Sequence, residues 1–314
     1  MNIRLLRITI SKPILNLVFA IFIFTGFFYD SLEAMNWPSN DAVLVSNFGA
    51  NNNGKPVLGM IFDGGTEIQA AESGEVIFSR SNKDTPSIKA ASRLPSVLGS
   101  WTAVDHGDGL ISIYSRYAED EKQEYDIKNT EIEKEQVIAT SGISGWSIRS
   151  GFYFMIFDRR ERRWINPAMI ITPRQETRPP QIVSVEIRDM QGNIAGARNI
   201  SQGRYTILVN AAGGTVRTVP GVITPGVTMH APHRIVCSVN GVEAGSLNFE
   251  SYSARDGNLM VMRNGLVPAR QVYGNAPFFE AADVFLNRGQ VTIEVIVQDI
   301  NDASRSFRSQ LVVN

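Results

Sequence analysis

From Met35 onward the chain alternates short apolar–polar runs with turns of Gly, Asn, Asp and Ser. Gly74-Glu75-Val76-Ile77-Phe78, Trp101-Thr102-Ala103-Val104-Asp105 and Leu110-Ile111-Ser112-Ile113-Tyr114 are typical. Runs of this length, bounded by turn formers, predict antiparallel β structure. The same pattern returns in Gln181 to Asp189, Tyr205 to Val209, Ile235 to Val239, Gln290 to Asp299 and, after the turn Asp299-Ile300-Asn301-Asp302, Arg305 to Val313. No long helical periodicity interrupts it. The charged run Glu119 to Gln136 reads either as a short helix or as a solvated connection.

Between the two β regions lies Thr172-Pro173-Arg174-Gln175-Glu176-Thr177-Arg178-Pro179-Pro180. Proline gives no ladder hydrogen bond and stiffens the backbone, so this stretch predicts a linker. The expected organisation is a first domain over 40–173, a linker over 174–180 and a second domain over 181–314. Strand spacing in the second domain suggests a β-sandwich, with an architectural resemblance to bacterial immunoglobulin-like modules.

The pattern differs only at the start. Arg4, Arg7 and Lys12 precede an almost wholly apolar run from Ile14 to Tyr29, and Ser31-Leu32-Glu33-Ala34 ends on a small residue. Residues 1–34 therefore read as an export signal. The run is shorter than the roughly 20 residues that span a bilayer. Contact with the membrane is expected only through this signal, if it stays uncleaved. The bulk of the chain is expected outside the cytoplasm, in the periplasm or cell envelope.

Charge and composition narrow the chemistry. Thirty basic residues face thirty-one acidic ones in 314 residues, which gives no general pull toward nucleic acid. One cysteine, Cys237, excludes an intrachain disulfide and a cysteine metal site. Its apolar strand setting predicts a buried, inert thiol.

The first domain carries an ordered set of motifs. Asn47-Phe48-Gly49 and Gly59-Met60-Ile61 come first. Gly65-Thr66-Glu67-Ile68 then leads through Ala70-Ala71 to Gly74-Glu75-Val76. Val104-Asp105-His106-Gly107-Asp108-Gly109, Ile113-Tyr114-Ser115-Arg116-Tyr117 and Gln136-Val137-Ile138-Ala139-Thr140-Ser141-Gly142-Ile143-Ser144-Gly145 follow. Gly151 to Phe157 and Trp164-Ile165-Asn166-Pro167 close the set. In this order, over roughly 120 residues, they resemble the lysostaphin-type (LytM-like) zinc endopeptidase domain. The resemblance implies an all-β fold: a LytM/lysostaphin-like antiparallel domain (the duplicated hybrid motif), here followed by the immunoglobulin-like sandwich.

It also implies where the chemistry should be. The first ligand histidine of the family falls on Val57 and the ligand aspartate on Ile61. The His-Leu-His of the family becomes Tyr153-Phe154-Met155, replacing a catalytic histidine and a ligand. The other catalytic histidine, after the family's Tyr-Ala, becomes Arg116. Zinc hydrolases need three protein ligands and an open position, and valine, isoleucine and methionine do not supply them. An arginine is not a general base near neutral pH. No metal and no cofactor are expected. The chain holds three histidines, His106, His230 and His233. His106 reads as a hydrogen-bonded turn residue, and the other two as loop residues.

Two readings of the degenerate site remain open at this level. Arg116, Tyr117, Trp146 and Tyr153 line a binding groove, or Tyr153 and Met155 plug the former metal cavity. Four arginines in Asp158-Arg159-Arg160-Glu161-Arg162-Arg163 mark a charged hairpin tip, and Ser81 to Ser100 reads as a mobile insertion. The expected function is non-catalytic: peptidoglycan binding, or regulation of a wall hydrolase. By resemblance to degenerate family members that activate wall amidases, such an enzyme is a candidate partner. A structural module of an envelope complex is one alternative. A zinc endopeptidase with rebuilt ligands such as Asp63 and His106, cleaving peptidoglycan cross-links, is another.

Overall fold

The computed structural model describes residues 34–80, 96–118, 130–145, 147, 149–171, 179–196, 199–213 and 230–314. The export signal, the linker core at 172–178, most of the 81–100 insertion and the charged run at 119–129 lie outside the described residues. The remainder is almost wholly β, as its alternating pattern requires. Met35–Asn314 forms one compact unit. Among the described residues no helix is long and apolar enough to cross a membrane.

The first β region holds β1 (Val43–Ser46), β2 (Asn51–Asn52), β3 (Lys55–Pro56), β4 (Met60–Asp63), β5 (Glu67–Gln69) and β6 (Gly74–Arg80). It continues with β7 (Ser100–Asp105), β8 (Leu110–Tyr117), β9 (Glu131–Ile132), β10 (Val137–Thr140), β11 (Gly151–Asp158) and β12 (Arg163–Ile165). The second holds β13 (Gln181–Asp189), β14 (Asn199–Ile200), β15 (Gly203–Ala212), β16 (Arg234–Val239) and β17 (Val242–Arg255). After them come β18 (Asn258–Arg263), β19 (Leu266–Pro268), the single helical turn α1 (Ala269–Tyr273), β20 (Phe279–Leu286), β21 (Gly289–Gln298) and β22 (Ser304–Val313).

In the first region β4, β11, β8, β7 and β6 lie side by side and antiparallel. Alternation sends Met60, Phe62, Val76, Val104, Tyr114, Phe154 and Ile156 into one core, because side chains two apart share a face. The β7–β8 turn needs left-handed backbone, and Gly107 (φ 80°) and Gly109 (φ 95°) supply it.

In the second region β14, β22, β21, β16 and β17 form one sheet and β13, β15 and β20 another. Val291, Ile293, Val295 and Val297 of β21 face Ile207, Val209 and Ala282 across a single apolar core. Cys237 is fully buried there, and burial pushes its thiol up to about 12.

The sheets of the two regions are continuous. β12 pairs with β17 through Arg163↔Ser253, Trp164↔Tyr252 and Ile165↔Ser251. Other ties run in parallel. The Asn47 side chain accepts from the Ala231 amide at 2.7 Å and donates to its carbonyl at 2.8 Å. Tyr273 Oη donates to the Gly49 carbonyl and bonds Tyr252 Oη. Phe48, from the first region's opening motif, lies in the second region's core. The segment 47–57 is thus anchored from both sides.

Candidate functional site

The four apolar replacements converge. Val57 (6% exposed), Tyr153 (8%) and Met155 (4%) form one buried cluster with Ala50, and Ile61, Leu98, Ile113 and Trp164 pack against it. Strand register explains the meeting. Tyr153 pairs with Ile61 on one side and Ser115 on the other, and Met155 pairs with Ile113. Directly paired residues share a face, so Ile61, Tyr153, Met155 and Ile113 occupy the sheet face opposite the Tyr114–Phe154 core. Val57 arrives from above. Its amide donates to the Ala50 carbonyl at 3.0 Å and its carbonyl accepts from Gly49 at 2.8 Å. Gly59 must be glycine, since a Cβ there would strike the Phe154 carbonyl and the Met155 side chain.

Tyr153 closes this cluster with its hydroxyl. Oη accepts from the Leu58 amide at 2.9 Å. Burial pushes the phenol up to about 12, against smaller opposing effects of that hydrogen bond and of Arg116.

Arg116 is set differently from its neighbours. Ser100 pairs with Tyr117 and Trp101 with Ser115, so Arg116 is the extra residue of a β-bulge. Its φ is +65°, a left-handed conformation that costs a non-glycine residue about 1–3 kcal/mol. Its amide donates to the Leu98 carbonyl at 2.8 Å. The bulge swings the side chain to the cluster face, where the guanidinium carbon lies 5.0 Å from the Tyr153 ring centroid. Burial lowers its pKa, and Nε is buried with no hydrogen-bond partner.

The other predicted residues fall elsewhere. Tyr117 does not line the cluster face. The bulge puts Tyr114 and Tyr117, three apart in sequence, on the same inner side, where Tyr117 is 6% exposed and bonds Thr102 Oγ1 at 2.9 Å. Trp146 lies outside the described residues. Asp63 is ion-paired to Arg149 at 3.3 Å. His106 has both ring nitrogens occupied, by the Ser73 carbonyl at 2.7 Å and Ser112 Oγ at 2.9 Å. Asp63 pairs with Gly151 while Leu110, just beyond the His106 turn, pairs with Asp158. The His106 ring is held at Ser112, which pairs with Ile156, so the strand positions beside the two side chains lie five residue steps apart along β11, about 16 Å. Among the described residues no three His, Cys, Asp or Glu side chains come together. The residues at the cluster do not fit zinc, because none of Val57, Ile61, Tyr153 and Met155 is a ligand type for it.

Two of the four arginines at the hairpin tip are ion-paired. Arg159 pairs with Asp105 at 2.9 Å and Arg163 with Asp158 at 3.6 Å. His230, read from the sequence as a loop residue, is buried at 2% exposure. Its ring Nε2 has no hydrogen-bond partner among the described residues, and burial drives its pKa down to about 4, against smaller opposing effects of the Val45 and Leu44 backbone. Ala50, Leu98 and Trp164 were not legible as site residues. They reach the cluster from three separate segments, and only the folded register reveals them. The bulge carried a faint signal, because Tyr114 and Tyr117 are both aromatic yet out of phase for a regular strand.

A family model matches residues 179–314, the second region. No curated protein matches the chain. Among solved structures, the SpoIIQ–SpoIIIAH pore-forming complex is 20% identical, covering 45% of this chain and 92% of its own, with a TM-score of 0.33. The catalytic domain of the prophage-encoded M23 protein EnpA from Enterococcus faecalis is 18% identical over 42% of this chain and 94% of its own, with a TM-score of 0.32. The antimicrobial peptidase lysostaphin from Staphylococcus simulans is 14% identical over 73% and 86%, with a TM-score of 0.31. With all scores below 0.5, these likenesses stand as resemblances, and the functional reading rests on this chain's own residues.

Proposed function

We propose that this chain is an exported LytM-type pseudopeptidase that acts in the periplasm or cell envelope by binding, either to peptidoglycan or to a wall hydrolase. One observation carries the reading. Positions assigned to metal ligands and a catalytic histidine by motif order alone meet at one point, as ligand positions must, and the point is filled by Val57, Ile61, Tyr153 and Met155. Convergence supports the motif assignment. The apolar filling supports loss of the metal, since an ion needs donor atoms where these side chains offer methyl groups, a thioether and a ring. Tyr153 is already committed through its hydroxyl to Leu58. The anchoring of segment 47–57 by the second region supports a rigid surface rather than a hinged catalytic cleft. In this reading the domains are 40–173 and 181–314, the latter immunoglobulin-like.

Co-sedimentation with intact sacculi, run beside a muropeptide digestion assay, tests the proposal. Residues 35–314 are expected in the pellet, with no new muropeptide products. A chain that stays in the supernatant, with and without a wall amidase present, removes the binding role. Released cleavage products remove the non-catalytic one.

A further inference from the structure

We propose that Arg116 is the recognition cation for the terminal carboxylate of a peptide ligand. The inference deepens the binding role proposed above and rests on it. Three features of the bulge support it together.

The first is the absence of a built-in counter-charge. Among the described residues no carboxylate pairs with Arg116, whose guanidinium lies over the Tyr153 ring. Nε is sealed without an acceptor. Arg116 is half-buried, and removing part of a guanidinium from water without an anion is unfavourable.

The second is the backbone. A left-handed non-glycine residue in a bulge is strained, and here the strain has one evident consequence: it aims the cation at the cluster face instead of the Tyr114–Phe154 core. The Tyr153 ring beneath it fixes one face of the guanidinium. Its terminal nitrogens are left to meet a carboxylate, the planar anion that this fork matches.

The third is the surface beside it. Trp101 pairs with Ser115, which pairs with Tyr153, so the three share one row of the sheet. Trp101 stacks on Phe78 at 4.2 Å between centroids, and Phe78 is 39% exposed. The apolar body of a short peptide has a platform next to the cation. An acidic loop of a folded partner would need no such floor, so a free chain end is the better fit.

The test uses residues 35–314 with N-acetyl-D-alanyl-D-alanine, its C-terminal amide, and an amidated peptide carrying one internal aspartate, each titrated by NMR. Chemical-shift changes are expected at Arg116, Tyr153 and Trp101 with the dipeptide acid. The amide should bind at least about tenfold more weakly. Arg116→Gln should abolish the acid-over-amide preference, and Arg116→Lys should keep part of it, with unfolding midpoints recorded to show both variants folded. Equal binding of acid and amide, no binding of the acid, or a preference untouched by Arg116→Gln overturns the inference. Tighter binding of the aspartate peptide overturns the chain-end assignment. Sacculi still pelleting the Arg116→Gln chain, with no acid preference in the parent, would sink this inference alone and leave the wall-binding reading intact.

Discussion

Tyr153 Oη accepts the Leu58 amide hydrogen at 2.9 Å. This bond joins the central strand of the first region to the segment that delivers Val57. The side chain at the position that the resemblance assigns to a catalytic histidine therefore serves as a strut, with its ring under Arg116 and its oxygen holding the neighbouring loop.

Tyr153→Phe should keep the ring and lose the strut. The Leu58 amide would be left without its partner, which costs about 1–3 kcal/mol where water does not replace it. Urea unfolding should show a lower midpoint with an unchanged slope. A variant as stable as the parent would mean that the hydroxyl has no structural role.

Gly49 tests the union of the two regions. It has a φ of +81°, and a Cβ would lie 2.8 Å from Phe249 Cδ1. Gly49→Ala combines left-handed strain with overpacking and should cost about 2–4 kcal/mol. Because β12 and β17 share a sheet, calorimetry should show one transition moving down as a whole. Two transitions, with only one displaced, would show that the regions unfold independently.

His230 sets an acid limit on stability. Its ring is neutral in the fold, with a pKa near 4 against an ordinary 6.5, chiefly because burial penalises the charged form. Between those values the unfolded chain holds a proton that the folded chain does not, so stability falls as pH drops from about 6.5 toward 4. The effect amounts to about 2 kcal/mol at pH 5. His233, lowered in the same direction by burial, adds to it. His230→Gln should flatten the slope of stability against pH over this window, as measured by urea unfolding at several pH values. An unchanged slope would place the titration elsewhere.

Much of the fold was readable because alternation and turn residues were in phase with the strands. β21 is a clear case: Val291, Ile293, Val295 and Val297 repeat with period two and are buried. The Gly107 and Gly109 turn was equally plain. The long strand β17 was less so. Gly245, Ser246 and Asn248 interrupt its apolar pattern, and its second half is held by pairing with β12 on one side and β18 on the other. At the site, Val57, Ile61, Tyr153 and Met155, singled out by motif order, meet in one cluster, whereas Tyr117 turns to the opposite face. One extra residue in β8 reverses the face of everything after it. Arg116 was located by motif, and its strained aim became visible only in the register of β7 with β8.

Zinc content of purified residues 35–314 tests the central claim most directly. A matched triple variant, Val57→His, Ile61→Asp and Met155→His, serves as the positive control. The parent should carry far less than one zinc per chain after dialysis against the metal and release no muropeptides, while the triple variant gains zinc. One tightly held zinc per parent chain, with cleavage of muropeptides, would contradict the account.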